Sequence, residues 1–409
     1  MPSATRQAAH ALITAVLQAR RPLEEALDAL PPMEPRDRAA GHRIAATVLR
    51  RLGSLDAVLE PYLQREPPAT VRQALRIGAA ELTLLGTPPH AAVSDCVSLV
   101  PRAFSGLVNA VLRRVASAGA AALEGLDAPR LDTPSWLWTA WQKAHGNAVR
   151  RIAEAHQHEA PLDLSLKPGV ALPEGATLLP GGTARMAHGT RITELPGFTE
   201  GDLWAQDAAA ALPARLLAVR PGERALDLCA APGGKTAQLA AAGAEVVAVE
   251  RDPKRATRLR ENLARLKLPA EVVVADAAAW KPDALFDAIL LDAPCTATGT
   301  IRRHPDVAHL KRAGDVTKLA ETQSRLLAAA CALLAPGGRL VFATCSLQAE
   351  EGEAHLERVP EGFALDRVRP GELPGMEAMT VTGALRTRPD MLGDSGGMDG
   401  FFAMRLRRH

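Results

Sequence analysis

Two periodicities divide the chain. Up to residue 117, apolar residues recur at three-and-four spacing in RQAAHALITAVLQA, AAGHRIAATVLRRLGSLDAVLEPYL, TVRQALRIGAAELTLL, AAVSDCVSLV and GLVNAVLRRVA. That spacing lays one apolar stripe along each helix. Pro67-Pro68, Pro88-Pro89 and Pro101 fall between the stretches, where a residue lacking an N–H donor ends a helix. Residues 1–117 are therefore expected to form an all-helical domain, and residues 118–133, with little periodicity, a linker. Residues 134–204 open with the helical PSWLWTAWQKAHGNAVRRIAEAHQ and continue as short β-like pieces between Gly/Pro turns. They read as a small α+β module, with Trp136, Trp138 and Trp141 expected in its core.

From residue 205 the pattern becomes short apolar runs, RALDLC, EVVAVE, EVVVAD, FDAILLD and GRLVFATC, separated by helical stretches at 235–242, 253–267 and 319–335. Strand and helix in alternation predict an α/β domain over 205–409 with a doubly wound parallel sheet. Such sheets bind ligands at the carboxyl ends of their strands. The residues at those ends are Cys229, Glu250, Asp276, Asp292 and Cys345, all expected to face one crevice.

Composition narrows the class. Hydrophobic residues make up 47% and charged residues 23% of the 409, the profile of a soluble globular protein. There is no run of 18 apolar residues, so no membrane span is expected. Five scattered cysteines with no CxxC argue against a disulfide framework or a zinc site and fit a reducing cytosol. The acid-free start up to Glu24 is expected to be an amphipathic first helix and not a targeting segment. Net charge is +2, but residues 1–117 hold 14 Arg and 10 acids, a bias that permits a nucleic-acid partner for the helical part.

The loop after the first strand, LDLCAAPGGKT, supplies Gly233 and Gly234 for a close turn and the N-terminus of a helix beginning near Lys235. A P-loop needs a first glycine where Cys229 stands, and GxGxxG is absent, so nucleoside triphosphates and dinucleotides fit poorly. S-adenosylmethionine fits better. Backbone groups of the loop would hold its amino acid part, Glu250 its ribose hydroxyls, and Asp276 its adenine edge.

A methyl donor gives the strand-end cysteines a chemistry. Carbon 5 of a pyrimidine is a poor nucleophile. A thiolate adding to carbon 6 makes it an enamine that can take a methyl group. Asp292, three residues before Cys295, is the candidate acid for the charge that develops near ring nitrogen 3. A second thiol can assist elimination. Cys96, Cys229 and Cys331 read as small buried hydrophobes.

LDLCAAPGGKT, LLDAPCTATGTIRRHPD, FATCSLQAEE and the closing GGMDGFFAMRL resemble the signature motifs of RsmB/Sun-type RNA 5-methylcytosine methyltransferases. HAAVSDCVSLV and GLVNAVLRRV are similar to their NusB-like RNA-binding domain, and LWAQDAAA to the entry of their Rossmann-like catalytic domain. The resemblance implies Cys345 as nucleophile and Cys295 as the thiol that promotes release. It implies cofactor contacts from Cys229, Ala230, Ala231, Pro232, Gly233, Gly234, Lys235, Glu250, Asp276 and Asp292, with Asp292 also facing the cytosine. The substrate it implies is ribosomal small-subunit RNA in the cytoplasm. Transfer RNA by the same chemistry, or a non-enzymatic RNA-binding scaffold, are the alternatives. The chain departs from the family pattern at Thr296, usually Ser, at Ala349-Glu350-Glu351-Gly352, usually Pro-Glu-Glu-Asn, and at LSLK, usually containing Arg-Val-Asn. Arg302, Arg303 and His304 are expected to hold RNA phosphate or to order the active-site loop, or else to serve as a charged helix cap.

Overall fold

The computed structural model describes residues 3–409; Met1 and Pro2, at the head of the acid-free start, lie outside the described residues. The chain forms two compact units. The first comprises the described residues up to Glu159 together with Ile301–Arg312, and the second comprises Ala160–Thr300 and Ala313–His409.

The first unit is helical, with helices at Ala4–Leu17, Leu23–Asp28, Pro35–Arg50, Leu52–Leu59, Ala69–Thr83, Pro89–Ser98 and Arg102–Ala118. Their stripes converge on a core that includes Leu12, Ile13, Val48, Leu49, Leu55, Leu75, Ile77 and Leu112. Several of the arginines are structural. Arg6 donates to both oxygens of the buried Glu81 at 2.7 Å, and Arg72 and Arg76 both reach Asp56. Arg43, Arg65, Arg102 and Arg113 are exposed.

The two units divide after Glu159 and at the ends of Ile301–Arg312. Residues 118–133 carry a helical turn at Gly119–Leu123 and a short helix at Ala128–Leu131. They are pinned because Asp132 accepts from Arg51, Ser54 and Gln157. The helices Ser135–His145 and Ala148–His156 also belong to this unit, so the α+β module is split between the two. Trp141 is buried against His156 at 5.2 Å between ring centres, while Trp136 and Trp138 are half-buried.

Ile301–Arg312 is tied to the rest of the first unit by hydrogen bonds. The Leu23 N–H donates to Asp306 at 3.0 Å, Arg50 to the Arg302 carbonyl at 2.9 Å, and His309 to the Leu49 carbonyl at 2.8 Å. Arg20 caps the Leu310 carbonyl.

In the second unit, β1 (Asp163–Leu166), β2 (Thr177–Leu178), β3 (Ala184–Arg185) and β4 (Leu203–Ala205) make a small antiparallel sheet in the order β2-β3-β1-β4. The main sheet contains β5 (Arg224–Leu228), β6 (Glu245–Glu250), β7 (Glu271–Val274), β8 (Phe286–Asp292) and β9 (Leu334–Thr344), parallel in the order β9-β8-β5-β6-β7. The apolar runs become these strands because both faces of a parallel sheet are covered. One side of β9 carries antiparallel strands that the alternation did not predict: β13 (Phe402–Arg408) pairs with β9, β12 (Ala384–Arg386) with β13, and β11 (Thr380–Val381) with β12, while β10 (Phe363–Leu365) also pairs with β13. β13 begins beside the end of β9, with Phe402 opposite Thr344, so the chain re-enters the sheet at the edge it left and runs antiparallel.

Candidate active site

The strand order explains why the widely spaced residues meet. β5 continues to β6 and β7 on one side and has β8 and then β9 on the other, which makes the gap between β5 and β8 the topological switch point. Along the carboxyl edge the chain places Cys345 after β9, Asp292 at the end of β8, Cys229 after β5, Glu250 at the end of β6, and Asp276 two residues beyond the end of β7.

The loop from Cys229 to Gly233 is tightly constrained. Cys229 has a left-handed backbone, φ 63°, and the Ala231–Pro232 peptide is cis. Gly233 has φ 107°, a backbone that favours glycine, and a Cβ there would press on the end of the Leu259 side chain. The Ala230 N–H donates to the Val249 carbonyl, Arg255 to the Ala231 carbonyl and Asn262 to the Pro232 carbonyl. The helix Gly234–Ala241 follows at once.

Glu250 is buried, 3% exposed. Its oxygens accept the Asp252 N–H at 3.0 Å and the Ala231 N–H at 3.3 Å, with Arg255 at 3.4 Å. A carboxylate accepts about four hydrogen bonds, so Glu250 keeps capacity for a ligand's hydroxyls. Asp276 is exposed, and one of its oxygens accepts from the Ala278 N–H. Beneath the loop, burial pushes Asp227 up to about 7 against the opposing effect of the Thr236 hydroxyl.

Across the switch point, Lys235 Nζ donates to Asp292 Oδ2 at 2.7 Å and lies 5.1 Å from the centre of the Phe401 ring. Burial alone would lower the Lys235 ammonium. The Asp292 carboxylate outweighs it, and the net shift is upward, so the residue is charged at neutral pH.

Cys295 and Cys345 are brought together, with their sulfurs 3.4 Å apart. The cause is the register of β8 on β9, which sets Asp292 opposite Ala343 and sends both loops off the same edge. The Ala293 N–H donates to the Ala343 carbonyl and the Gly299 N–H to the Cys345 carbonyl. Gly299 also lies against Gly400, where a Cβ would come within 1.9 Å of the Gly400 carbonyl oxygen. The hydrogen bond with Cys345, and burial after it, hold the Cys295 thiol well above its ordinary pKa. Burial pushes the Cys229 thiol up to about 12. Cys96 and Cys331 are buried packing residues.

Arg302 is 2% exposed in the first unit, so it is no surface cation for phosphate; Arg303 is half-buried and His304 exposed. Sequence reasoning passed over Gln323 and noted Glu351 only as part of a variant loop. Both are fully buried behind the cysteines. Among the described residues, no group of three or more His, Cys, Asp or Glu is arranged to hold a metal ion, and no helix is long and apolar enough to cross a membrane.

A carboxyl-edge crevice on this sheet, a glycine loop feeding a helix N-terminus and a paired thiol site define a Rossmann-like methyltransferase. Residues 214–407 match the family model for 16S rRNA methyltransferase RsmB/F, and residues 3–117 match the NusB family. Ribosomal RNA small subunit methyltransferase B of Vibrio cholerae is 37% identical over 415 residues, covering 91% of this chain and 95% of the relative. The protein of that name from Pseudomonas putida is 35% identical, covering 98% of each chain. The chain belongs to the RsmB/F methyltransferase family. Among solved structures, that of PH0851 aligns over 98% of this chain and 99% of its own with a TM-score of 0.73 at 23% identity. A methyltransferase homolog protein from Pyrococcus horikoshii aligns over 66% of this chain and 94% of its own with a TM-score of 0.56 at 27% identity.

Proposed function

We propose that the protein methylates carbon 5 of a cytosine in 16S ribosomal RNA in the cytoplasm, through a covalent adduct with Cys345. The observation that carries this reading is the pair of sulfurs 3.4 Å apart at adjacent strand ends, close to the Lys235–Asp292 ion pair on the same edge. The names of the curated relatives support ribosomal RNA as the substrate.

The residues fit S-adenosylmethionine. Its α-carboxylate matches the helix N-terminus after Gly233, its ribose hydroxyls match the spare acceptor capacity of Glu250, and its adenine matches the strand end at Asp276. When bound, it supplies the methyl group as an electrophile. Loss of Glu250 should therefore weaken binding directly: Glu250→Ala is expected to cost roughly 1–3 kcal/mol of affinity, since hydroxyls are left without an acceptor. Isothermal titration with S-adenosylmethionine reads this, and an unchanged Kd removes Glu250 from the site.

The chain's own residues divide the remaining work. Cys345 sulfur bonds to carbon 6, and the ring electron pair moves toward carbon 5 and nitrogen 3. Asp292, one oxygen of which accepts from Lys235, relays the Cys345 thiol proton to nitrogen 3, so that no bare charge is left there. After carbon 5 is methylated its proton must leave, the carbon 5–carbon 6 double bond re-forms, and the Cys345–carbon 6 bond breaks with the electron pair returning to sulfur. Cys295 is suited to assist that proton loss. Its sulfur lies 3.4 Å from the Cys345 sulfur, and as a thiolate it would take that proton and become a thiol.

The exposed Arg43, Arg65, Arg102 and Arg113 are available for phosphate. Sequencing for 5-methylcytosine in total RNA from cells with and without the gene tests the whole reading. One 16S position is expected to lose its mark. Loss confined to transfer RNA would redirect the substrate, and no loss would reject the chemistry.

A further inference from the structure

Behind the two thiols lies a buried carboxylate that the chemistry above does not use. Glu351 is 0% exposed, yet four donors converge on it. Its Oε1 accepts the Thr296 N–H at 2.9 Å and Gln323 Nε2 at 3.1 Å. Its Oε2 accepts the Ser346 hydroxyl at 2.5 Å and the Thr296 hydroxyl. Thr296 directly follows Cys295, and Ser346 directly follows Cys345. The Glu351 backbone carbonyl accepts the hydroxyl of Thr344 at 2.8 Å, on the other side of Cys345.

The donors are themselves oriented. Gln323 Nε2 also donates to the Pro294 carbonyl at 3.0 Å, immediately before Cys295. Its Oε1 lies 3.0 Å from His355 Nε2. His355 is buried, and burial lowers its pKa to about 4, so the ring is neutral; an amide oxygen can only accept, so in this contact Nε2 carries the N–H. Thr298 Oγ1 closes the network, 3.3 Å from the Ser346 hydroxyl and accepting the Leu347 N–H at 3.1 Å. A buried carboxylate with four donors is satisfied only if every donor stays in place.

We propose that Glu351 is a positioning residue for catalysis: its carboxylate ties the residue after each cysteine to one point and thereby fixes the distance between the two thiols. The proposal rests on the reading of Cys295 and Cys345 as the working pair. Arg386 holds the same turn, donating to the Ser346 carbonyl at 2.6 Å and pairing with Glu353.

The test is Glu351→Gln in the full-length protein. The amide keeps the shape but turns N–H groups toward donors, so at least one arm is lost. Two readouts are taken. The first is the rate at which diamide converts the two thiols into a Cys295–Cys345 disulfide, diamide accepting the two electrons and two protons, followed by mass spectrometry of the linked peptides. The second is kcat and KM on RNA. Expected is a tenfold or greater slowing of disulfide formation and roughly a 30- to 100-fold fall in kcat with KM within threefold, since misplacement of about 1 Å can cost about 10²-fold. S-adenosylmethionine affinity within twofold of the parent reports an intact fold. Parental disulfide rate and kcat in a variant that binds the cofactor would overturn the proposal.

Should Glu351→Gln fail to bind cofactor, Thr296→Val and Thr296→Ser decide, because only the second keeps the hydroxyl arm. Slowing by Val with recovery by Ser supports the clamp, and equal rates overturn it. Failure of the underlying reading looks different. If Cys345→Ala remains active, the thiols are not the working pair, while the disulfide rate still reports whether Glu351 positions them.

Discussion

Cys345→Ala is expected to abolish both methylation and covalent RNA adduct, whereas Cys295→Ala is expected to trap the adduct. The difference follows from the steps each thiol serves. Without the Cys345 sulfur nothing adds to carbon 6, and a fall of at least about 10⁴-fold is expected, on the scale of removing a nucleophile from a covalent site. Without Cys295 the addition and methylation proceed but elimination slows, so RNA stays bonded to Cys345 and runs as a shifted band on a denaturing gel. Trapping by Cys345→Ala with none by Cys295→Ala would reverse the assignments. Full activity in both variants would reduce the pair to packing residues.

The next largest effect is expected at Asp292. Asp292→Asn keeps the shape but removes the charge that Lys235 donates to at 2.7 Å. Two things change together: the group facing nitrogen 3 can no longer carry or share a proton, and the Lys235 ammonium loses the partner that outweighs its burial. Single-turnover methylation is expected to slow by roughly 10²–10⁴-fold, the range for a positioned acid or base. A rate within about tenfold of the parent would leave Asp292 as a cofactor contact alone.

The elements of the fold were legible where one periodicity ran long enough. The runs EVVAVE and FDAILLD gave their strands end to end, and the helix expected at 253–267 is Pro253–Leu266. The helix expected at 319–335 begins earlier and runs over Ala313–Leu333. Strand order was not legible, since apolar runs do not say which neighbour they choose. The return of β13 beside β9 and the meeting of Cys295 with Cys345 both depend on that choice. The strand-end acids were visible because their positions follow from where apolar runs stop. Glu351 was not, since a carboxylate in AEEGE has the look of a solvated turn, and only the convergence of Thr296, Gln323 and Ser346 reveals it as interior. The split of residues 134–204 was hidden for a related reason: linear proximity to β1 says nothing about the helices with which Ala148–His156 packs.

Ile301–Arg312 has a consequence for the birth of the protein. The helical half is made first, yet its last piece is translated roughly 150 residues after Glu159, a wait of about 8–30 s at ordinary elongation speeds. Until then the Leu23 N–H lacks the Asp306 carboxylate, and the Leu49 carbonyl lacks His309. The first domain to leave the ribosome thus waits for a piece of its own while most of the other is synthesised, and that piece is the segment that follows the Cys295 loop.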